Sequence, residues 1–529
     1  KAKVDTLSKD VFYIDDIGDG GSKANKFERD VQLLTRGLED NPNNPRYTFY
    51  LANSYKSLNQ HEKAIPYYEK RIALGGWIEE VTCSYEYLGG CYNAIGSKQK
   101  AFSTWMEGYH FNPNRAECLY EAIRHLRSEK KYNLALSLAK LAKKIPYPSK
   151  DILFVRKSVY DHLIDTELTL IAYYSDENED ITKNFRSLLN NPNAPFLNTL
   201  SNYKFYCPSI NDMGTDLVSI DDIVAKKENY NSSTPCIIPF DNDYLINVRQ
   251  VSYELDRRGY GVRTKGSKGI NTVNTIVRMD KELKEVKQST LSIAGKLDID
   301  NINGLEDQKL VQVGNKLFSS GNMFSEGNGR KMVLGEVDTE SLKVSNYKDL
   351  ESPLGLFVEK NWSFFDYKGK LACLYNWNPI SFFIVEDNKL VEHKKLNTSL
   401  QHFRGSSNGF LYDGKLYFLT HLTLKGEPST YYHSIVVFNA ETLEYIEHSV
   451  PFVFERPQIE FSLGLVIRDE DVILGYSTWD RTCKIKSYNK KDLFNTIHLK
   501  DEPANINKNL LYMVAIGINI PPSAKEAWS

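Results

Sequence analysis

Five segments in the second half of the chain begin with an apolar run carrying a charged or polar cluster, and each is followed by two or three more strand-like runs. They occupy residues 236–249, 304–310, 358–362, 403–407 and 459–463. Short β-sheets recurring at regular intervals build a β-propeller. Hairpin signals separate the runs at Asp241-Asn242-Asp243, Gly314-Asn315, Tyr367-Lys368-Gly369, Asp413-Gly414 and Asp469-Glu470-Asp471. The pattern predicts five blades of about four strands each. The first strand of every blade lines the central channel of such a fold, so Arg249, Glu306, Asp307, Glu359, Lys360, Arg404 and Glu460 are expected to converge on one axis. Charge gathered there calls for a polar ligand, and sugars are the ligand class it points to.

The first half follows another rule. Tyr55 precedes Ala64 by nine residues, Tyr92 precedes Ala101 by nine, and Leu126 precedes Ala135 by nine. These copies stand 37 and then 34 residues apart, near the tetratricopeptide period of about 34. Gly75-Gly76 and Gly96 punctuate the helix ends. A further, degenerate helix pair is expected over 151–189. The fold class is therefore multidomain α + β, an N-terminal α-helical tetratricopeptide solenoid followed by a five-bladed β-propeller. The boundaries read as 1–30, a linker or the end of an upstream domain; 31–195, the helical repeat; 196–232, a linker rich in Asn, Ser, Pro and Asp; and 233–529, the propeller. A solenoid can offer a groove to a protein partner, although Tyr67, Tyr68, Trp105 and Tyr109 sit at packing positions and read as core. The lysines at 130, 131, 140, 143 and 144 read as a solvated helix face.

Bulk properties exclude some functions. At 529 residues the chain is too long for a single core. A formal net charge of −2 gives no basic stripe for nucleic acid or for phosphopeptides. No run of 18 apolar residues suggests a membrane span, and no signal peptide is recognisable. Seven cysteines without a CxxC pair read as reduced thiols of a cytoplasmic protein. The chain opens at Lys1 in what reads as the end of a strand over 11–14, which predicts a domain upstream. Abundant Asn, Lys, Ile and Tyr suggest an AT-rich genome, viral or low-GC microbial. No metal site or cofactor is expected: Asp241-Asn242-Asp243 has the look of a hairpin turn rather than a metal-nucleotide motif, and the glycines at 18–21 lack the context of a phosphate loop.

Two resemblances sharpen this reading. Gly18-Asp-Gly-Gly-Ser-Lys-x-x-Lys26-Phe-x-x-Asp30, Asn44-x-x-Tyr47-x-Phe49-Tyr50-Leu-Ala-x-Ser-Tyr55 and Arg71-x-x-x-Gly75-Gly76-Trp77-x-Glu79-Glu80 form one set. Residues from about 10 to 170 resemble the tetratricopeptide region that follows the catalytic domain in a group of family 2 glycosyltransferases. That resemblance implies a nucleotide-sugar domain upstream. The second set is Gly304-Leu-Glu306-Asp307-x-x-Leu310, Glu359-Lys-Asn361-Trp362, Phe403-Arg404-Gly-Ser406-Ser407, Tyr432-His433 and Ile459-Glu460-Phe461-x-x-Gly464. It resembles the five-bladed glycoside hydrolases and phosphorylases typified by the family 130 mannoside phosphorylases, and related propeller glycosyltransferases. The chain departs from that pattern after Glu-Asp, with Gln308 and Lys309 where the family has Pro or a small residue and then Arg. The departure weighs against phosphorolysis.

Glycosyl transfer needs an acid to protonate the leaving oxygen and a nucleophile or base on the other face of the ring. Asp307 matches the position the resembled family uses as proton donor. Glu359 and Glu460, on other blades, are the candidates to face it. Arg249, Glu306, Lys360, Asn361, Arg404 and His433 are the candidate substrate-binding set, with the cations among them suited to a phosphate acceptor. Trp479 and Asp480 open a loop after a blade-five strand, where the ring could stack on a sugar and the carboxylate could hold hydroxyls; a strand-end aromatic beside a surface ion pair is the alternative. The expected ligand is a sugar, nucleotide-sugar or glycan. The expected function is glycosyl transfer, or glycoside cleavage or phosphorolysis, at the axis. The alternative is a non-catalytic glycan-binding propeller joined to a protein-interaction scaffold.

Overall fold

The computed structural model describes residues 25–177, 179–264, 270–291, 302–324, 329–344 and 347–500. The strand end expected over 11–14, the glycines at 18–21 and the last residues of the expected propeller domain lie outside the described residues. The chain divides into two compact units, one running to Asn202 and the other starting at Tyr203.

The first unit is a succession of antiparallel helices: α1 (Lys26–Asp40), α2 (Pro45–Ser57), α3 (His61–Leu74), α4 (Ile78–Ala94), α5 (Lys98–Phe111), α6 (Glu117–Ser128) and α7 (Tyr132–Lys143). Local chemistry sets their ends. The Asn44 side chain accepts the Tyr47 N–H at 3.0 Å and Pro45 occupies the first turn, where its missing N–H costs nothing. After α3 the backbone turns through Gly75 and Gly76 at φ +61° and +88°, a region that favours glycine. Ala64, Ala101 and Ala135, the small residues that mark the repeat, are fully buried where helices touch. Gly89 is equally constrained, because a Cβ there would stand 2.3 Å from the Trp105 indole nitrogen. Tyr68 and Trp105 are core, as read, with Tyr67 and Tyr109 packed against the same clusters. Helix α4 touches both of its alternate neighbours, α2 and α6.

Two expectations for this unit need correction. The helix pair expected over 151–189 starts later, with a π-helical turn at Val159–Leu163 leading into α8 (Ile164–Ile171) and then α9 (Thr182–Asn190). Residues 144–156 lie outside any helix, because Pro146 and Pro148 block one and side-chain carboxylates capture the backbone instead. The lysine face is also only partly solvated: Lys140 pairs with Glu177 and Glu179 at 2.5 Å, and Lys143 with Asp165 at 2.7 Å.

The second unit is a five-bladed propeller whose blades are built on antiparallel strands, consecutive in the sequence except in the last blade. Blade 1 is built on Cys236–Phe240, Asp243–Val251, Ile270–Met279 and Glu285–Thr290; blade 2 on Glu306–Val313, Lys316–Phe324 and Arg330–Asp338. Blade 3 comprises Ser363–Tyr367, Lys370–Trp377, Ile380–Glu386 and Lys389–Lys395. Blade 4 comprises Arg404–Gly405 and Phe410–Tyr412, both on Lys415–Leu424, then Thr430–Asn439 and Tyr445–His448. Blade 5 holds Glu460–Ile467, Asp471–Thr478 and Lys484–Asn489. Its fourth strand is Gly214–Asp216, which comes from before blade 1 and closes the ring. Residues 196–232, expected as a linker, thus carry that strand and Asn231–Ser232, which pairs with blade 1. Buried apolar residues of adjacent blades make the core, as where Val311 and Met332 of blade 2 meet Phe364 of blade 3 and Trp362 just before it.

The inner strands depart from the sequence reading in two places. Arg249 lies on the second strand of blade 1, because the Asp241-Asn242 turn, with Asp241 at φ +53°, reverses the chain before it. The strand expected over 358–362 is a loop, and blade 3 starts at Ser363.

Candidate functional site

Inner strands of blades 2, 4 and 5 begin at Glu306, Arg404 and Glu460, so side chains at those starts belong to one mouth of the channel. Blade 2 enters irregularly. Asp307 has φ +52°, and the register shifts between Glu306 and Lys309, so the chain bulges as the strand starts. That conformation is disfavoured for a residue with a Cβ and marks a position held by its surroundings. Gln308 and Lys309 lie within the bulge. Gln308 turns into blade 2 and donates to Ser319 Oγ at 2.8 Å, while the buried Lys309 ammonium donates to the Trp362 carbonyl at 2.5 Å. Burial pushes the Lys309 amine down to about 8.

Around the bulge runs a continuous polar network. Arg249, 4% exposed, places Nη1 3.3 Å from Asp307 Oδ1 and Nη2 3.8 Å from Glu306 Oε1. Arg330 pairs with Glu306 and donates to Asn322 Oδ1 at 2.8 Å; Asn322 in turn donates to Asp307 Oδ2 at 3.4 Å. On the other side Arg249 donates to the Tyr253 hydroxyl at 3.3 Å, and Tyr253 donates to Asp480 Oδ2 at 2.9 Å. Asp480 also accepts from Ser233 at 2.8 Å, so the network ties blade 5 to blade 1 and blade 1 to blade 2. Trp479 and Asp480 both lie at positive φ, and the Trp479 indole donates to Gln458 at 3.1 Å.

The two adjacent carboxyls are driven apart in acidity. Burial works to raise Glu306, but Arg249 and Arg330 outweigh it and hold the group below the usual carboxylate range. Burial raises Asp307, the neighbouring Glu306 charge adds to the rise, and Arg249 opposes it only in part. Asp307 is thus the member of the pair that keeps a proton to higher pH. Burial lowers Lys360, against the pull of Asp307 and Glu306. Among the described residues Lys360 and Arg404 make no ion pair. Gly405, beside Arg404, meets blade 3 at the turn through Asn361 (φ +64°): a Cβ would lie 2.3 Å from the Asn361 carbonyl oxygen.

Glu359 and Glu460 have different surroundings from Asp307. Glu359 accepts from Ser352, from the Leu356 N–H at 2.9 Å, from the Trp362 indole at 3.3 Å and from Tyr375. Glu460 is fully buried and accepts the N–H groups of Phe454, Glu455 and Arg456 at 2.7 to 3.1 Å, with Gln458 alongside. Burial pushes Glu460 up to about 7 in spite of those bonds. Each carboxylate holds the loop before its own strand. His433 also stands away from the axis. Across blade 4 the register runs Arg404, His421, His433, so His433 is two strands outward, packed on Phe454 at 4.6 Å. Its strand position follows from alternation, but not its distance from the axis.

Sequence reasoning missed Arg330, Asn322, Tyr253 and His421. His421 accepts or donates at Nδ1 with Ser406 Oγ at 2.8 Å, and its ring lies 5.8 Å from Tyr431. The first two lie on the second and third strands of blade 2, outside the clusters that begin blades. A cavity of about 300 Å³ takes its lining from all five blades, among them Ile237, Leu310, Asp366, Ser407 and Leu463. Among the described residues no group of His, Cys, Asp and Glu is arranged to hold a metal ion, and no helix is long and apolar enough to cross a membrane.

No family model matches the sequence, and no curated protein matches it either. Solved structures do resemble it. β-1,2-Mannobiose phosphorylase from Listeria innocua is 12% identical, over 56% of this chain and 99% of its own, with a TM-score of 0.37. A glycosyl hydrolase from Bacteroides ovatus is 11% identical, over 50% of this chain and 85% of its own, also at 0.37. MamA protein is 19% identical, over 36% of this chain and 92% of its own, at 0.26. Nothing about chemistry follows from likenesses this distant.

Proposed function

We propose that the mouth of the propeller channel is a carbohydrate site at which Asp307 protonates a glycosidic oxygen while an anionic co-substrate, phosphate or a phosphorylated sugar, is held by Lys360 and Arg404. The observation that carries this reading is the carboxyl pair: Glu306 held ionised by two arginines, and Asp307 beside it held protonated to higher pH. In phosphorolysis the bond between the anomeric carbon and the leaving oxygen breaks, the leaving oxygen takes the Asp307 proton, and a phosphate oxygen forms the new bond to the anomeric carbon. The products are a sugar phosphate and the shortened glycan. Phosphate supplies its own nucleophile, so no second free carboxylate is needed. That suits a site where Glu359 and Glu460 are engaged with their own loops. Transfer from a nucleotide-sugar would place the same cations on the leaving diphosphate.

Glu306, Arg249 and Arg330 are read as the frame that sets the acidity of Asp307. Asn361, Trp479 and Asp480 are read as lining for sugar hydroxyls and ring faces. The helical unit is read as a tetratricopeptide scaffold within a glycosyltransferase polypeptide, a reading supported by its repeat spacing and its buried alanines.

A second reading, a glycan-binding propeller without turnover, is favoured by Lys309, which lies buried against the Trp362 carbonyl rather than standing as an arginine at the mouth. One experiment separates the two. The protein is incubated with inorganic phosphate and a panel of disaccharides; released sugar phosphate is measured, and thermal stability is followed with each ligand. A shift in melting temperature with sugar but no release selects the second reading, and release selects the first.

A further inference from the structure

Four of the five residues from 354 to 358 are large and apolar, and all four stand in water: Leu354 is 60% exposed, Leu356 55%, Phe357 67% and Val358 42%. No other stretch of the described residues exposes four such side chains within five positions. Single apolar side chains on a surface are ordinary, whereas a contiguous patch marks a contact. The loop that carries them is built, and its main chain is fastened inward. Ser352 Oγ accepts the N–H groups of Leu354 and Gly355 at 3.2 and 3.1 Å and donates to Glu359. Glu359 accepts the Leu356 N–H at 2.9 Å and is itself held by the Trp362 indole and the Tyr375 hydroxyl. The Phe357 carbonyl accepts the Arg330 N–H at 2.9 Å, and the Arg330 carbonyl accepts the Glu359 N–H at 3.0 Å. Gly355, at φ +56°, lets the chain reverse between these anchors. With its polar backbone groups bonded to the protein, the loop holds its apolar side chains outward.

The patch is continuous with the charged mouth. Arg330, whose main chain carries Phe357, pairs through its guanidinium with Glu306. Lys360 follows Val358 by two residues and is exposed, as is Arg404, and neither makes an ion pair among the described residues. The Lys360 ammonium lies within electrostatic reach of Asp307, Glu306 and Arg404. Exposed cations beside exposed hydrocarbon suit a ligand with an anionic head and an apolar tail. Four side chains fall well short of the about 20–30 residues that a protein partner engages on each side of a stable interface, which favours a single hydrocarbon chain as the occupant.

We propose that the loop over 352–358 is a hydrocarbon seat on the rim of the carbohydrate site, and that the anionic co-substrate held by Lys360 and Arg404 is a phosphate ester whose alkyl chain lies across Leu356 and Phe357. The substrate class is a sugar joined through phosphate to a hydrocarbon chain. This rests on the reading of Lys360 and Arg404 as the anion site, and it adds the apolar half of the ligand.

The full chain is titrated by calorimetry with inorganic phosphate, methyl phosphate, butyl phosphate and octyl phosphate, the last below its micellar concentration. Affinity is expected to rise by about two- to fourfold per methylene laid on the loop, so that octyl phosphate binds at least about thirtyfold more tightly than methyl phosphate. Leu356→Ser/Phe357→Ser is expected to abolish that gain while binding methyl phosphate as the parent does. Methyl phosphate that binds, with octyl phosphate no tighter, overturns this proposal and leaves the anion site standing. Binding of no member of the series overturns both. A gain with chain length that survives the double variant overturns the seat. Sedimentation of the parent with phosphatidylcholine vesicles, lost in the double variant, assigns the loop to a membrane surface and also overturns the proposal. If the double variant does not fold, Phe357→Ser alone, read by the same ratio of octyl to methyl phosphate, takes its place.

Discussion

Arg249 of blade 1 reaches Asp307 of blade 2 across the gap between two sheets, guanidinium Nη1 to carboxylate Oδ1 at 3.3 Å, and it touches Tyr253, Glu306 and Asp307 together. Its removal would leave two carboxyls in a shielded site with less cationic charge to balance them. Arg249→Met is expected to destabilise the propeller by about 3–5 kcal/mol, read by urea unfolding at pH 7. It should also raise the pKa of Glu306, so that part of the loss disappears on acidification. A change below about 1 kcal/mol would mean that the ion pair carries little weight.

His433 gives a pH prediction with a definite sign. Burial holds its imidazole down to about 3, against about 6.5 in the unfolded chain. A depressed folded value means that the contribution is intact above about 6.5 and is lost as pH falls toward about 3. His433→Phe, which keeps an aromatic ring between Phe452 and Phe454, is expected to flatten the fall of stability across that window and to leave stability at pH 7 within about 1 kcal/mol. Thermal melts of both proteins between pH 3.5 and 7.5 check it; parallel curves would contradict it.

Gly405 is a steric prediction. The backbone of blade 4 approaches the Asn361 carbonyl so closely that a methyl group has no room. Gly405→Ala is expected to cost about 1–3 kcal/mol and to shift Arg404 and Asn361 with the displaced strand. Sugar or phosphate binding to the variant, measured by calorimetry, should weaken along with its stability.

Glu460 supplies the opposite sign to His433. Its carboxyl is pushed up to about 7, so the stability it contributes is full below about 4.3 and is lost as pH rises through about 7. Between pH 5 and 8 the unfolding free energy of the parent is expected to fall by more than that of Glu460→Gln, even though the variant starts lower because Gln offers a single acceptor to the 454–456 backbone. Equal slopes would contradict the assignment.

Blades were readable because their strands alternate and end in turn residues: Asp413-Gly414 and Gly314-Asn315 each sit between paired strands as expected. The closing strand Gly214–Asp216 was not, since three residues carry no periodicity and its partner lies at the far end of the unit. Glu306, Asp307, Lys360 and Arg404 stand out in the sequence because they break apolar runs. The engagement of Glu359 and Glu460 with their own loops was invisible, because a carboxylate that accepts backbone N–H groups looks in sequence like one that awaits a substrate. Arg330 escaped for the converse reason, lying at the start of a third strand that reads as ordinary surface. The chain reads as helix from 151 onward, and what keeps it extended as far as 156 includes tertiary acceptors, Glu79 and Glu117, that no local pattern reveals.

The role of Asp307 is tested most directly by sugar phosphate formation from a disaccharide that the parent protein accepts, compared with Asp307→Asn at matched folding. Loss of a proton donor is expected to lower kcat by about 10²- to 10⁴-fold while sugar binding persists. An Asp307→Asn protein that turns over as fast as its parent would contradict the account.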